Sequence, residues 1–230
     1  MTLSYQTDID LVLPDSDGKP MADNTEQFRW IVLIKENLEI QFANDPNVFI
    51  AGDLLWYPVK SRIVPPVAPD AMVVFGRPKG RRGSYRQWNE ANIAPQVVFE
   101  IRSPCNTDAD MDYKLEFYDT HGVEEYYFYD PDTNQFLGYW RTGEHLSLIQ
   151  QINEWVSPRL GVRFELSGEE PIIYRSTGQR FLSSIELDQR ASLAEQRLGQ
   201  AEQQLEQERQ SRQALLDKLR SMGINPEDLA

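Results

Sequence analysis

VVFEIRSPCNT, residues 97–107, is a short apolar strand with an acid set inside it. Val97, Val98, Phe99 and Ile101 are β-branched or apolar, and Pro95 and Pro104 bound the run, so the stretch reads as a buried strand. Glu100 sits within it. A carboxylate in such a place loses hydration that hydrocarbon cannot return, so it requires a cation, a metal or hydrogen-bond donors beside it. Strand alternation places Arg102 on the same face as Glu100, and a buried Glu100–Arg102 ion pair is one way to satisfy the acid.

Working outward, TDADMDYKLEFYDTHG (107–122) reads as a helix over 108–121. Thr107 is placed to cap it, Asp108, Asp110 and Asp112 favour its N-terminal dipole, and Gly122 closes it. Met111, Lys114, Leu115 and Tyr118 share one face of that helix, so a lysine interrupts the buried stripe. Its stem can snorkel to water, or its ammonium can point at Glu100. Upstream, PDAMVVF (69–75) is a second strand, with Asp70 at its start. Pro-Asp is a common turn signal. Beside Glu100, however, Asp70 makes a pair of hard oxygen donors suited to a metal ion.

Residues 24–43 follow a three-to-four apolar spacing behind a cap at Asn24 or Thr25, which predicts an amphipathic helix. Residues 48–59, 96–101, 124–130 and 135–141 read as further strands, the last two joined by the turn PDTN, and 145–175 as short strands and loops. From about residue 187 the character changes. Ala191, Ala194, Leu198, Ala201, Leu205, Leu215, Leu219 and Met222 fall on a heptad seam, with Glu208 and Arg212 also at seam positions. The division expected is 1–180 as a globular domain, 181–222 as a coiled-coil helix roughly 50 Å long, and 223–230 as a tail. Such a helix gains stability by pairing, so a homodimer through 187–222 is expected, the alternative being a helix folded back on its own domain.

The chain carries one cysteine, Cys105, and two histidines, His121 and His145, which cannot assemble a zinc-ligand set or an internal disulfide. With no basic leader and no long apolar run, a soluble cytoplasmic protein is expected. The net charge of −13 resides in the body: residues 187–222 hold six residues of each sign, whereas residues 1–186 hold 17 bases against 28 acids. That balance opposes nonspecific binding to nucleic acid. One local exception is GRPKGRRGSYRQW (76–88), where Arg77, Lys79, Arg81, Arg82 and Arg86 occur with no acid between them and Tyr85 and Trp88 are available for stacking. It is either a DNA-contacting loop or a solvated charged one.

PDAMVVF, VVFEIRSPCNT and DMDYKLEFYDTHGVEEYYFYDP together resemble the Uma-type (Uma-two) family of restriction-endonuclease-like proteins, a branch of the PD-(D/E)XK nuclease superfamily. The resemblance is close over 69–131 and loose over 24–140. It implies an α/β fold: a mixed β-sheet core flanked by helices, here with the C-terminal coiled-coil helix added. It also implies Asp70 and Glu100 as ligands of Mg²⁺ or Mn²⁺, with Lys114 as a catalytic lysine that has moved from the strand to the next helix. Asp110 matches a recurring acid, and Glu26 and Asp53 are further candidates. Two departures stand out: Cys105 and Asn106 replace the family's small hydroxyl residue and its neighbour, and Arg102 occupies the place of the lysine in the parent motif. Arg102 can substitute for that lysine's charge or pair with Glu100 and weaken metal binding.

The activity implied is metal-dependent hydrolysis of DNA phosphodiester bonds by a dimer, each subunit cutting one strand. The competing class is a nuclease-fold interaction protein that recruits partners through its coil. A small-molecule enzyme lacks both a glycine-rich phosphate loop and a nucleophile with a histidine base.

Overall fold

The computed structural model describes residues 13–16, 18, 22–61 and 63–223. Asn24 caps α1 (Thr25–Gln41), its Oδ1 accepting from the Gln27 N–H at 2.7 Å. β1 (Val48–Ala51) and the short β2 (Trp56–Tyr57) come from the single apolar stretch expected over 48–59. The chain breaks between them at Gly52–Asp53, where Asp53 takes a left-handed φ of 47°. β3 (Ala71–Phe75) and the two-residue β4 (Tyr85–Arg86) follow, the latter unforeseen in the basic loop.

β5 (Val97–Ile101), α2 (Asp108–Thr120) and β6 (Glu125–Asp130) then form a strand–helix–strand unit, and β5 and β6 pair in parallel, as a helical crossover permits. β7 (Gln135–Thr142) and β8 (His145–Leu148) complete the sheet by antiparallel pairing. β9 (Arg163–Glu165) and β10 (Ile172–Tyr174) make a separate small pair, and α3 (Ser184–Ser221) is the long C-terminal helix.

The main sheet has six strands in the order β1-β3-β5-β6-β7-β8. Alternation sorts its side chains to two cores. Val73, Val97, Phe99 and Tyr127 face Trp30, Ile31, Ile34 and Leu38 of α1. Met72, Val74, Val98 and Phe128 face Phe117 and Tyr118 of α2, together with Trp56 and Tyr85. Glu100, two residues beyond Val98, therefore belongs to the α2 face.

Two compact units are present, Met1–Phe181 and Leu182–Ala230, and residues 224–230 of the expected tail lie outside the described residues. No described helix is long and apolar enough to cross a membrane.

Thr107 starts α2 by a capping box: its Oγ1 accepts from the Asp110 N–H at 3.2 Å, while Asp110 Oδ2 accepts from the Thr107 N–H at 2.8 Å. Thr107→Ala is expected to cost about 1 kcal/mol in urea unfolding. An unchanged midpoint would show that packing alone holds the start of α2.

Candidate active site

β3 and β5 pair antiparallel with Ala71 opposite Phe99 and Met72 opposite Val98. Continuing that register by one residue sets Asp70 against Glu100. Both are buried, 5% and 1% exposed, at the same end of the sheet. Like charges directly opposite one another destabilise a sheet, so this juxtaposition needs compensation.

Three elements supply it. From β5, the Ile101 N–H donates to Asp70 Oδ2 at 2.6 Å. From α1, Gln27 donates to the Ile101 carbonyl at 3.1 Å and, at 3.4 Å, to Asp70 Oδ1. From α2, Lys114 Nζ sits 2.6 Å from Glu100 Oε2, and the Tyr118 hydroxyl donates to Glu100 Oε1. Lys114 and Tyr118 are one helical turn apart, which is why both reach the same carboxylate.

Burial pushes the Asp70 carboxyl well above the usual carboxylate range, and the Glu100 charge pushes it further. For Lys114, burial alone acts downward, but the charges of Glu100 and Asp70 overcome it and hold the ammonium above its ordinary value. Burial and the Glu100 charge likewise raise the Tyr118 phenol, so it remains a hydrogen-bond donor.

Of the residues singled out in the sequence, Asp70, Glu100 and Lys114 thus come together. Arg102 does not join them: its guanidinium lies 2.7 Å from Asp108 and 3.7 Å from Asp130. The Glu100–Arg102 ion pair is not formed: Lys114 and Tyr118 each donate to one oxygen of Glu100, and Arg102 turns to Asp108 and Asp130. Glu26 also lies elsewhere, paired with Arg29 and accepting from Trp30 Nε1 at 2.9 Å. Its neighbour Gln27, which the sequence reading passed over, occupies the site instead.

A cleft of about 560 Å³ opens onto Asp70 and Lys114, and Asp23, Gln27, Asp53, Cys105, Asn106, Asp110 and Tyr113 contribute to its walls. Asp53 and Asp110 are therefore near, Asp110 with its carboxylate committed to the cap of α2. Asn106 Oδ1 accepts from the Ser103 N–H at 3.0 Å and closes the SPCN turn. The Ser103 hydroxyl in turn donates to Asp23 at 2.6 Å.

The basic loop is placed differently. It leaves β3 at Phe75, the end opposite Asp70. Arg77 and Arg82 bind Glu90 at 2.8 and 2.7 Å, Lys79 binds Glu39 at 3.1 Å, and Arg86 binds Asp15 at 3.1 Å. Arg81 is exposed. None of these five lines the cleft. Tyr85 is buried with its hydroxyl on the Ile93 carbonyl, so it is not free to stack on a base.

As a donor set, Asp70, Glu100 and the Ile101 carbonyl are hard oxygens at one place. Among the described residues no group of three or more His, Cys, Asp and Glu side chains is gathered for a metal. Two carboxylates and a carbonyl suit Mg²⁺, which takes one or two carboxylates and retains several waters. Two mutually repelling buried carboxylates are also the electrostatic setting that a divalent cation relieves.

The profile of the Uma2 family, described as "putative restriction endonuclease", matches residues 20–169. No curated protein matches the chain. Among solved structures, the chain is similar to a "putative nuclease belonging to DUF820" from Anabaena variabilis, at 14% identity and a TM-score of 0.43, over 61% of this chain and 74% of that one. The chain belongs to the Uma2 family, whose profile spans well over half of it.

Because Asp70 is raised in the folded state, folding favours its protonated form. That contribution is complete below the unfolded carboxylate value and is lost as pH rises through the folded one. Asp70→Asn removes the penalty and is expected to raise the Tm of metal-free protein at pH 8 by roughly 2–4 °C. The gain should shrink toward pH 4, and calorimetry showing a loss of stability at pH 8 would contradict the assignment. Tyr118→Phe strips a donor from a buried carboxylate and is expected to cost about 1–3 kcal/mol in urea unfolding.

Proposed function

We propose that this member of the Uma2 family is a Mg²⁺- or Mn²⁺-dependent DNA endonuclease whose reaction centre is Asp70, Glu100 and Lys114. The observation that carries the proposal is the convergence of two buried carboxylates from neighbouring strands with a lysine from the following helix. The family's description supports a nuclease, and the donor set supports a hard divalent cation.

In this reading Asp70 and Glu100 hold the metal, with the Ile101 carbonyl beside them. When bound, the metal supplies polarisation of the scissile phosphate and a lowered pKa for the attacking water. Gln27 and the Ile101 N–H fix Asp70, and Tyr118 fixes Glu100, so the donors are preorganised. Lys114 retains its proton and acts as a cation that stabilises developing negative charge. Arg102, engaged by Asp108 and Asp130, sets the outer face of the turn after β5 and takes no direct part.

A second reading, a nuclease-fold interaction protein without cleavage, draws on a different observation: four of the five bases proposed for DNA contact are paired with the chain's own acids.

Cleavage of supercoiled plasmid in low salt separates the two. The wild-type protein is expected to nick with Mg²⁺ or Mn²⁺ and not with EDTA. Lys114→Ala should slow nicking by about 10²–10³-fold, and Asp70→Asn should abolish it. Calorimetric titration with Mn²⁺ should show heat for the wild type and none for Asp70→Asn. Absence of both nicking and Mn²⁺ binding in the wild type would favour the interaction protein.

A further inference from the structure

α3 has no buried residue, and Ser183 caps it by a reciprocal pair with Glu186. It nevertheless leaves Leu198, Leu205 and Leu215 exposed, at 61%, 49% and 59%, and its C-cap Met222 at 65%. These fall at alternating spacings along one stripe, which a helix normally covers by packing against another helix. Continued through the seam, the first heptad position holds Ala191, Leu198, Leu205, Arg212 and Leu219, and the fourth holds Ala194, Ala201, Glu208, Leu215 and Met222. The stripe is thus interrupted by two charges of opposite sign. Among the described residues neither Glu208 nor Arg212 has an ion-pair or hydrogen-bond partner, although they lie one helical turn apart.

Those charges decide which partner fits. A parallel copy in register sets Glu208 on Glu208 and Arg212 on Arg212, two like-charge contacts within the seam. An antiparallel copy sets first-position residues against fourth-position ones, because the order along the seam is reversed. With the two helices crossing at Gln210, Glu208 meets Arg212 of the other copy twice, by symmetry. Leu205 then meets Leu215, Ala201 meets Leu219, and Leu198 meets Met222. Sliding by one heptad either way sets Glu208 against Leu205 or Leu219 and leaves a charge without a partner in the apolar seam, which is strongly unfavourable.

We propose that α3 pairs with α3 of a second copy in the antiparallel orientation, centred on Gln210, with two reciprocal Glu208–Arg212 contacts fixing the register. The ion pairs select the register more than they add stability, the role polar seam residues have in other coils. The Ser184 ends of the two helices then extend beyond opposite ends of the paired segment, residues 198–222 of each copy. This proposal does not depend on the nuclease reading.

Full-length protein with Cys105→Ser and single cysteines tests it. Antiparallel pairing sets positions 205 and 215 of the two copies side by side and holds position 205 roughly 15 Å from its own mate, beyond the reach of a disulfide. Leu205→Cys and Leu215→Cys proteins are therefore expected to form a mixed disulfide dimer when combined under mild oxidation, and little dimer when oxidised separately. Efficient self-linking of each variant would overturn the orientation.

Because replacing leucine also weakens the seam, sedimentation of charge variants provides a second measurement. Glu208→Arg is expected to weaken dimerisation by at least about tenfold, and the swap Glu208→Arg with Arg212→Glu to restore it. A wild-type protein that sediments as a monomer at tens of micromolar, or a swap that fails to restore the dimer, would overturn the pairing.

Discussion

The antiparallel register of β3 and β5 sets two carboxylates face to face at the buried end of a sheet, and much of the surrounding structure answers that constraint. The apolar residues of both strands fix the register, since a slip of one residue would turn Val73, Val97 and Phe99 out of the α1 core. Hydrophobic packing therefore dictates where Asp70 and Glu100 meet. The cost is met by α2, which returns Lys114 and Tyr118 onto Glu100, and by α1, which brings Gln27 to Asp70 and the Ile101 carbonyl. Removing the charge conflict would stabilise the sheet. In the proposed reaction centre, that cost is stability given up for chemistry.

Much of this was legible in the sequence because local period carries it. Short apolar, β-branched runs marked β3 and β5, the caps at Asn24 or Thr25 and at Thr107 marked two helices, and the stripe Met111, Lys114, Leu115, Tyr118 set a lysine on the buried face. The missed elements are those in which neighbours in space are distant in sequence. Arg102 shares a strand face with Glu100, but its competition with Lys114 is settled by Asp108 and Asp130. The basic loop lacks acids along its own length, yet Glu39, Glu90 and Asp15 reach it through the fold. Glu26 and Gln27 differ by about 100° on the helix, enough to put one in an exposed pair with Arg29 and the other in the cleft. Gln27 did leave a signal: it heads the stripe that continues through Ile31, Ile34 and Leu38, where a polar residue invites the question of what it bonds.

The same network explains why Tyr118 belongs with Lys114. A lysine alone would satisfy one oxygen of Glu100 and leave the other dehydrated; the phenol, held protonated by burial, completes the set without adding charge. In the proposed reaction that neutrality matters. A second ammonium would cancel the negative charge that attracts a cation, whereas a hydroxyl orients the carboxylate and leaves its charge in place.

Register acts in opposite senses at the two ends of this chain. In the sheet it opposes like charges, and the repulsion is tolerated because hydrocarbon on both faces prevents the strands from sliding. In the proposed coil the apolar contribution is weak: several seam positions are alanine, so hydrophobic contact alone discriminates poorly between neighbouring registers. There the charges choose, because only the alignment centred on Gln210 opposes Glu208 to Arg212 while setting Leu205 on Leu215, Leu198 on Met222 and Leu219 on Ala201. A packed core can impose an unfavourable electrostatic contact, and a sparse seam must rely on a favourable one.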